Sequence, residues 1–317
     1  MAGMAGNSSS MAGNASSMAG KGMSMGVELQ YWKEGGIGHP MHGGFNGHVL
    51  PGCFFLIWGS WWLFSCYRLY LRSSTKVPYH TRTWFDWPTW PQNVPLEPFA
   101  KVLLPFIGIN GELWAGHDHY RHLYEPDGHF TEHHLQDWQH SAMYAAVMIS
   151  GLVDLLGHYT RFLPQGTEQG FLGLSFVVEG LLFAFHLKGT SLDFELHLLL
   201  VLTIFATALV IFLETNHPHM LQLTALRATL VLLQGTWFIQ VAYILYTENP
   251  AWDPEYMGSA MFAPVVYVFW ALVLAFSSLC AFVGAKLFQQ RAARNYRPVQ
   301  PDANGWEGAN GSHVEDP

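Results

Sequence analysis

The chain has 317 residues with 15 Lys and Arg against 23 Asp and Glu, a net charge of −8, and only 12% of its residues are charged. With 50% hydrophobic and 15% aromatic residues, too little charge remains to cover a water-soluble globule of this size. The acidic balance and the absence of a basic stripe exclude nucleic acid as a partner, and the apolar content excludes a chain disordered throughout.

Residues 1–38 are low in complexity: MAG recurs at Met1, Met4, Met11 and Met18 among Gly, Ser and Asn. Such a segment buries too little apolar surface to offset its ordering entropy and is expected to be disordered. The polar stretch 291–317, rich in Asn, Gly and Pro, is expected to form a disordered cytosolic tail. Between them, residues 39–290 form the membrane domain. Seven apolar segments of spanning length occupy about 48–69, 96–115, 138–157, 169–187, 192–213, 220–246 and 260–288. Glu112 and Glu179 interrupt the second and fourth. The predicted fold class is therefore all-α, a bundle of seven transmembrane helices, with the lipid bilayer as its first partner.

Lys and Arg placement sets the expected orientation. With the N-terminus outside or lumenal, the cytosolic side carries Arg68, Arg72, Lys76, Arg82, Lys101, Arg161, Lys286, Arg291, Arg294 and Arg297, and the outer side only Lys21, Lys33, Arg121 and Lys188. Cys53, Cys66 and Cys280 sit in apolar stretches without a CxxC pair, so no disulfide framework is expected.

The motifs on these spans are GHVLPGCFFLIWG in the first, DWQHSAMY and SGLVDLL in the third, VVEGLLFAFH in the fourth and LDFELHLLL in the fifth. LQGTWFIQ in the sixth and PAWDPE after it complete the series. Over residues 48–288 the chain resembles the transmembrane protein 45 family. That resemblance implies a seven-span protein of Golgi, endosomal or related membranes, with plasma membrane as the other address, and it supplies no settled biochemical activity.

Ionisable groups inside a span are costly and face the protein interior. The N-outside topology brings Glu112, His140, His186, Asp193 and His197 to one level near the outer leaflet. His140, Tyr144, Val147, Gly151 and Asp154 share one helical face, as do Asp193 and His197, and Glu179 and His186. Three imidazoles with carboxylates suit zinc or another divalent metal, so Glu112, His140, His186, His197 and Asp193 are the expected ligands. A metal-held water would support hydrolysis, or the metal redox chemistry, on a lipid-like substrate. Ser141, Tyr144 and Glu179 are the expected catalytic groups beside it. The histidine pattern of seven-span hydrolases with intramembrane zinc is absent from the last span, which contains no His.

Nearer the cytosolic side, Asp154 and Arg227 are expected to form a structural ion pair. The His-rich stretch 117–139 reads as a solvated loop. Two other roles fit the same residues: a proton- or metal-coupled transporter working through Glu179 and Asp154, and a non-catalytic trafficking or scaffold protein. In the tail, Tyr296 and Val299 match the Tyr-x-x-apolar pattern of a signal read by an endosomal sorting adaptor, and Pro298 favours an extended backbone at Arg297.

Overall fold

The computed structural model describes residues 44–89, 91, 94–115, 122–160, 162–185, 187, 189–247 and 252–295. Seven α-helices make up the described fold: α1 (Phe45–Arg72), α2 (Leu96–Asn110), α3 (Glu132–Thr160), α4 (Thr167–Ala184), α5 (Ser191–Asn216), α6 (Leu221–Leu245) and α7 (Met257–Asn295). A single π-helical turn, Gly111–Ala115, extends α2, and the 20 residues from Leu96 to Ala115 match the second expected segment. Each expected segment falls on a helix. Five of them, α1, α3, α5, α6 and α7, are long and apolar enough to cross a membrane. The chain is an integral, multi-pass, all-α membrane protein.

Two sequence expectations meet different fates at the ends. α7 continues through Arg291–Asn295, five residues into the stretch read as tail, because Arg291, Ala292, Ala293 and Arg294 are good helix formers and no breaker precedes Pro298. The expected disorder of residues 1–38 and the sorting signal at Tyr296 and Val299 lie outside the described residues.

The tightest crossing joins α1 and α6. A Cβ on Gly235 would sit 2.7 Å from the Leu56 nitrogen and 2.8 Å from the Gly52 carbonyl oxygen, and one on Gly52 only 3.0 Å from the Gly235 oxygen. Small residues on both helices therefore let the backbones touch, as packing in lipid requires. From this pair the helices follow a ring, α1–α6–α5–α4–α3–α2, with α7 laid against α5 and α6 and touching α1. The core lies along α5 and α6, where Leu196, Leu200, Ile204, Ile211, Trp237, Val241 and Ile244 are buried and Trp237 Nε1 donates to the Leu196 carbonyl at 2.9 Å. The ring does not close by backbone contact. Among the described residues no Cα of α1 comes within 8 Å of a Cα of α2.

The segment after α1 seals one end of the ring. Tyr79, Thr81, Thr83 and Phe85 are buried while His80 and Arg82 between them are exposed, the period of an extended chain. Thr81 N donates to the Pro218 carbonyl at 2.6 Å and His219 Nδ1 to the Tyr79 carbonyl at 2.7 Å. Burial raises the Tyr79 phenol above its ordinary pKa, so it stays protonated. This extended plug was not legible as structure in the sequence, and it positions every buried charge at the Arg72 end of the bundle.

Candidate functional site

The polar groups fall into two layers. At the His48 end, the first turns of α1 and α5 face one another. Gly189, at φ +96°, turns the chain into α5, a conformation only glycine adopts without strain. Thr190 then caps the helix, its Oγ1 accepting from Asp193 N at 3.3 Å. One turn later, His197 Nδ1 lies 2.8 Å from Asp193 Oδ1 and 2.9 Å from the Asp193 carbonyl oxygen. On α1, His48 Nδ1 lies 3.3 Å from the Gly44 carbonyl oxygen.

These acceptors assign the tautomers. A carbonyl oxygen only accepts, so both Nδ1 atoms carry the proton, and in the neutral ring each Nε2 is left with a lone pair. The two Nε2 atoms nevertheless face each other at 3.3 Å. Lone pairs do not approach so closely unless a proton or a cation lies between them. His48 is buried, and the rings of Tyr246 and Phe238 lie 4.7 and 6.2 Å from its own.

A second pair stands on the other arm of the ring. His140 Nδ1 is 3.3 Å from Glu112 Oε1, with the histidine half exposed. His140 is within electrostatic reach of His48, and Tyr144 of Glu112. The Tyr144 ring packs where a Cβ on Gly108 would stand, which holds α3 against α2. Ser141 is buried and its hydroxyl has no hydrogen-bond partner among the described residues.

Glu112, His140, Asp193 and His197 thus gather at the His48 end, and His48 joins them without having been expected. His186 lies outside the described residues. No three His, Cys, Asp or Glu side chains among the described residues converge at metal-ligand spacing. Glu179, midway along α4, makes no hydrogen bond or ion pair among them either, and Gln234, expected at its depth, donates instead to Thr207 Oγ1 at 2.7 Å.

At the Arg72 end the expected ion pair is not formed. Asp154 and Arg227 each have another partner. Lys101 Nζ lies 2.6 Å from Asp154 Oδ2, both side chains almost fully buried, and Thr83 Oγ1 donates to Asp154 Oδ1 at 2.7 Å. Arg227 pairs with Glu214 at 3.1 Å, donates to the Arg82 carbonyl at 2.7 Å and lies 4.5 Å over the Trp62 ring. The reason is direction around the helix axis. α3 turns Asp154 toward α2, where Gly151 leaves room for Lys101, while Arg227 on α6 faces α5. Depth alone had suggested the wrong couple.

Glu97, one turn before Lys101, holds a cage of four N–H donors: Trp58 at 3.0 Å, Trp61 at 2.9 Å, Trp62 at 2.6 Å and the Phe85 backbone at 2.9 Å. The signal for these groups was present, since Glu97 and Lys101 stand at i and i+4 in an apolar segment, but Lys101 was read as a cytosolic anchor. The two layers differ in chemistry. At the Arg72 end each carboxylate has its cation or its donors, which is the mark of a structural seal. At the His48 end the two imidazoles have only each other at Nε2, and a proton or a cation must lie between them.

Residues 165–283 match a family of unknown function, DUF716. The matched segment takes in α4, α5, α6 and most of α7, and so holds Asp193, His197, Glu214 and Arg227; His48, Glu112 and His140 come from the part before it. The chain is also 30% identical over 160 residues to transmembrane epididymal protein 1 of Homo sapiens, covering 48% of this chain and 57% of that protein. It is 26% identical over 168 residues to transmembrane epididymal protein 1A of Mus musculus, covering 52% and 55%. Transmembrane epididymal protein 1 of Rattus norvegicus is 26% identical over 163 residues, covering 50% and 53%. The chain thus spans little more than half the length of the curated relatives it matches.

Proposed function

We propose that the protein holds a divalent metal ion of the zinc class between His48 and His197, near the outer leaflet, and uses it on a lipid-like substrate. The observation that carries this reading is the pair of Nε2 atoms facing at 3.3 Å with both Nδ1 protons engaged. Two nitrogens bound at 2.0–2.1 Å to one tetrahedral zinc stand about 3.3–3.4 Å apart. Asp193 behind His197 and the Gly44 carbonyl behind His48 are the outer partners that orient metal-binding imidazoles. His186 stays a ligand expected from the sequence alone. A zinc-class ion makes water nucleophilic near neutral pH, and the Glu112–His140 pair is the neighbouring acid–base couple. Ser141 and Tyr144 are proposed to contact substrate.

Metal analysis of the full chain, purified in mild detergent without chelator, tests this directly. One ion per chain is expected, lost in His48→Ala and in His197→Ala and weakened about 10–100-fold in Asp193→Asn. A metal-free protein, or full occupancy in both alanine variants, overturns it and leaves a shared proton between the imidazoles.

The address and orientation are part of the same proposal. The likeness to the transmembrane protein 45 family, the basic residues at the Arg72 end and the Tyr296–Val299 pattern support an endomembrane protein with a cytosolic C-terminus. A C-terminal tag is expected to be digested by protease added outside sealed Golgi and endosomal vesicles, and Tyr296→Ala to raise the surface pool. A protected tag overturns the orientation, and an unchanged surface pool overturns the signal.

A further inference from the structure

The open seam between α1 and α2 lies between two faces that point at each other. Trp58, Trp61 and Trp62 of α1 all reach Glu97 of α2, which fixes the facing direction of both helices. Phe54 stands seven residues from Trp61 toward the His48 end, and Leu104 stands seven residues from Glu97 toward the same end. Residues seven apart share a helical face, so Phe54 and Leu104 stand on the seam side of their helices, two turns above the Trp–Glu97 belt. Had the helices met, both would be covered. Instead Phe54 is 43% and Leu104 41% exposed, and no Cα pair of the two helices lies within 8 Å.

We infer that this seam is a binding slot for one acyl chain of an outer-leaflet lipid, whose head reaches the His48 layer. The inference rests on the proposed function for the identity of that head as substrate, while the slot itself rests on geometry alone. Three features select an acyl chain. The facing side chains are apolar, and the slot opens sideways on spans that lie in the bilayer. Its floor is closed by the Trp–Glu97 belt and its upper end is polar, with the Glu112–His140 pair at the end of α2 and the His48 layer at the same level. Its length also fits: the ten residues from Trp58 to His48 rise about 15 Å, which is half of a hydrocarbon core about 30 Å thick and hence the depth of one leaflet.

The test uses the full chain reconstituted in liposomes of 1-palmitoyl-2-oleoyl phosphatidylcholine, re-extracted in mild detergent and examined by native mass spectrometry, with metal measured on the same samples. One retained phospholipid per chain is expected. Leu104→Trp and Phe54→Trp, which fill the slot from opposite walls, are each expected to reduce retention at least tenfold. Phe269→Trp, on the exposed face of α7, is expected to leave it unchanged. Leu104→Ala, which only widens the slot, is expected to keep the lipid and guards against a misfolded tryptophan variant. Absence of retained lipid in the unmodified chain, or equal retention in all variants, overturns the slot. Lipid lost with metal present condemns the slot alone; lipid retained without metal condemns the proposed metal chemistry alone.

Discussion

Arg227→Met will destabilise the protein by about 3–5 kcal/mol, because it strands a fully buried carboxylate. Arg227 and Glu214 are both at 0% exposure. Once the guanidinium is gone, Glu214 keeps only the Thr81 hydroxyl, which donates to its Oε1 at 2.9 Å, and the Arg82 carbonyl loses its donor. The loss should appear as a lower midpoint when heated detergent samples are followed by size-exclusion chromatography. Adding Glu214→Leu should restore most of it, since a buried ion pair and an apolar pair of similar volume differ little in net stability. A single variant as stable as the unmodified chain would show that the pair is not buried in the folded protein.

The membrane-spanning segments were legible because length and hydropathy alone specify them, and their depths followed from orientation. Depth placed Glu112, His140, Asp193 and His197 at one level, and the structure gathers them at one end of the bundle. Direction around each helix was not legible. Asp154 lies at the same end of the bundle as Arg227, yet its partner is Lys101 on α2, because pairing depends on which helices are neighbours in the ring. His48 escaped attention as the first residue of an apolar run, although its depth equals that of His197. The plug was invisible for a different reason. Tyr79, Thr81, Thr83 and Phe85 alternate with His80, Arg82 and Trp84, and threonines carry no apolar signal; what buries them is hydrogen bonding to charges on four other helices.

Gly235→Val is expected to abolish the folded monomer. Its Cβ would stand 2.7 Å from the Leu56 nitrogen and 2.8 Å from the Gly52 oxygen, and backbone atoms, unlike a flexible side chain, have no alternative rotamer. α1 and α6 must separate, which withdraws Trp62 from Arg227 and His48 from Phe238. In fluorescence-detected chromatography the variant should elute as aggregate or vanish, whereas Gly47→Val, at a site with open space around it, should behave as the unmodified chain. Normal elution of Gly235→Val would mean that the α1–α6 crossing is looser than its interatomic distances.

The plug also dictates an order of events during synthesis. Thr81 finds Glu214 only 133 residues later and Thr224 only 143 residues later, and the Arg82 carbonyl receives Arg227 145 residues on. At about 5–20 residues per second, the ribosome needs roughly 7–30 s to deliver those partners. Glu97 and Asp154 reach Phe85 and Thr83 earlier, but throughout that interval Thr81 and the Arg82 carbonyl lack their partners, and Glu214 emerges before the arginine that will neutralise it. The first loop to be made is therefore the last to be locked, and the nascent bundle stays open at its Arg72 end until α6 has entered the bilayer.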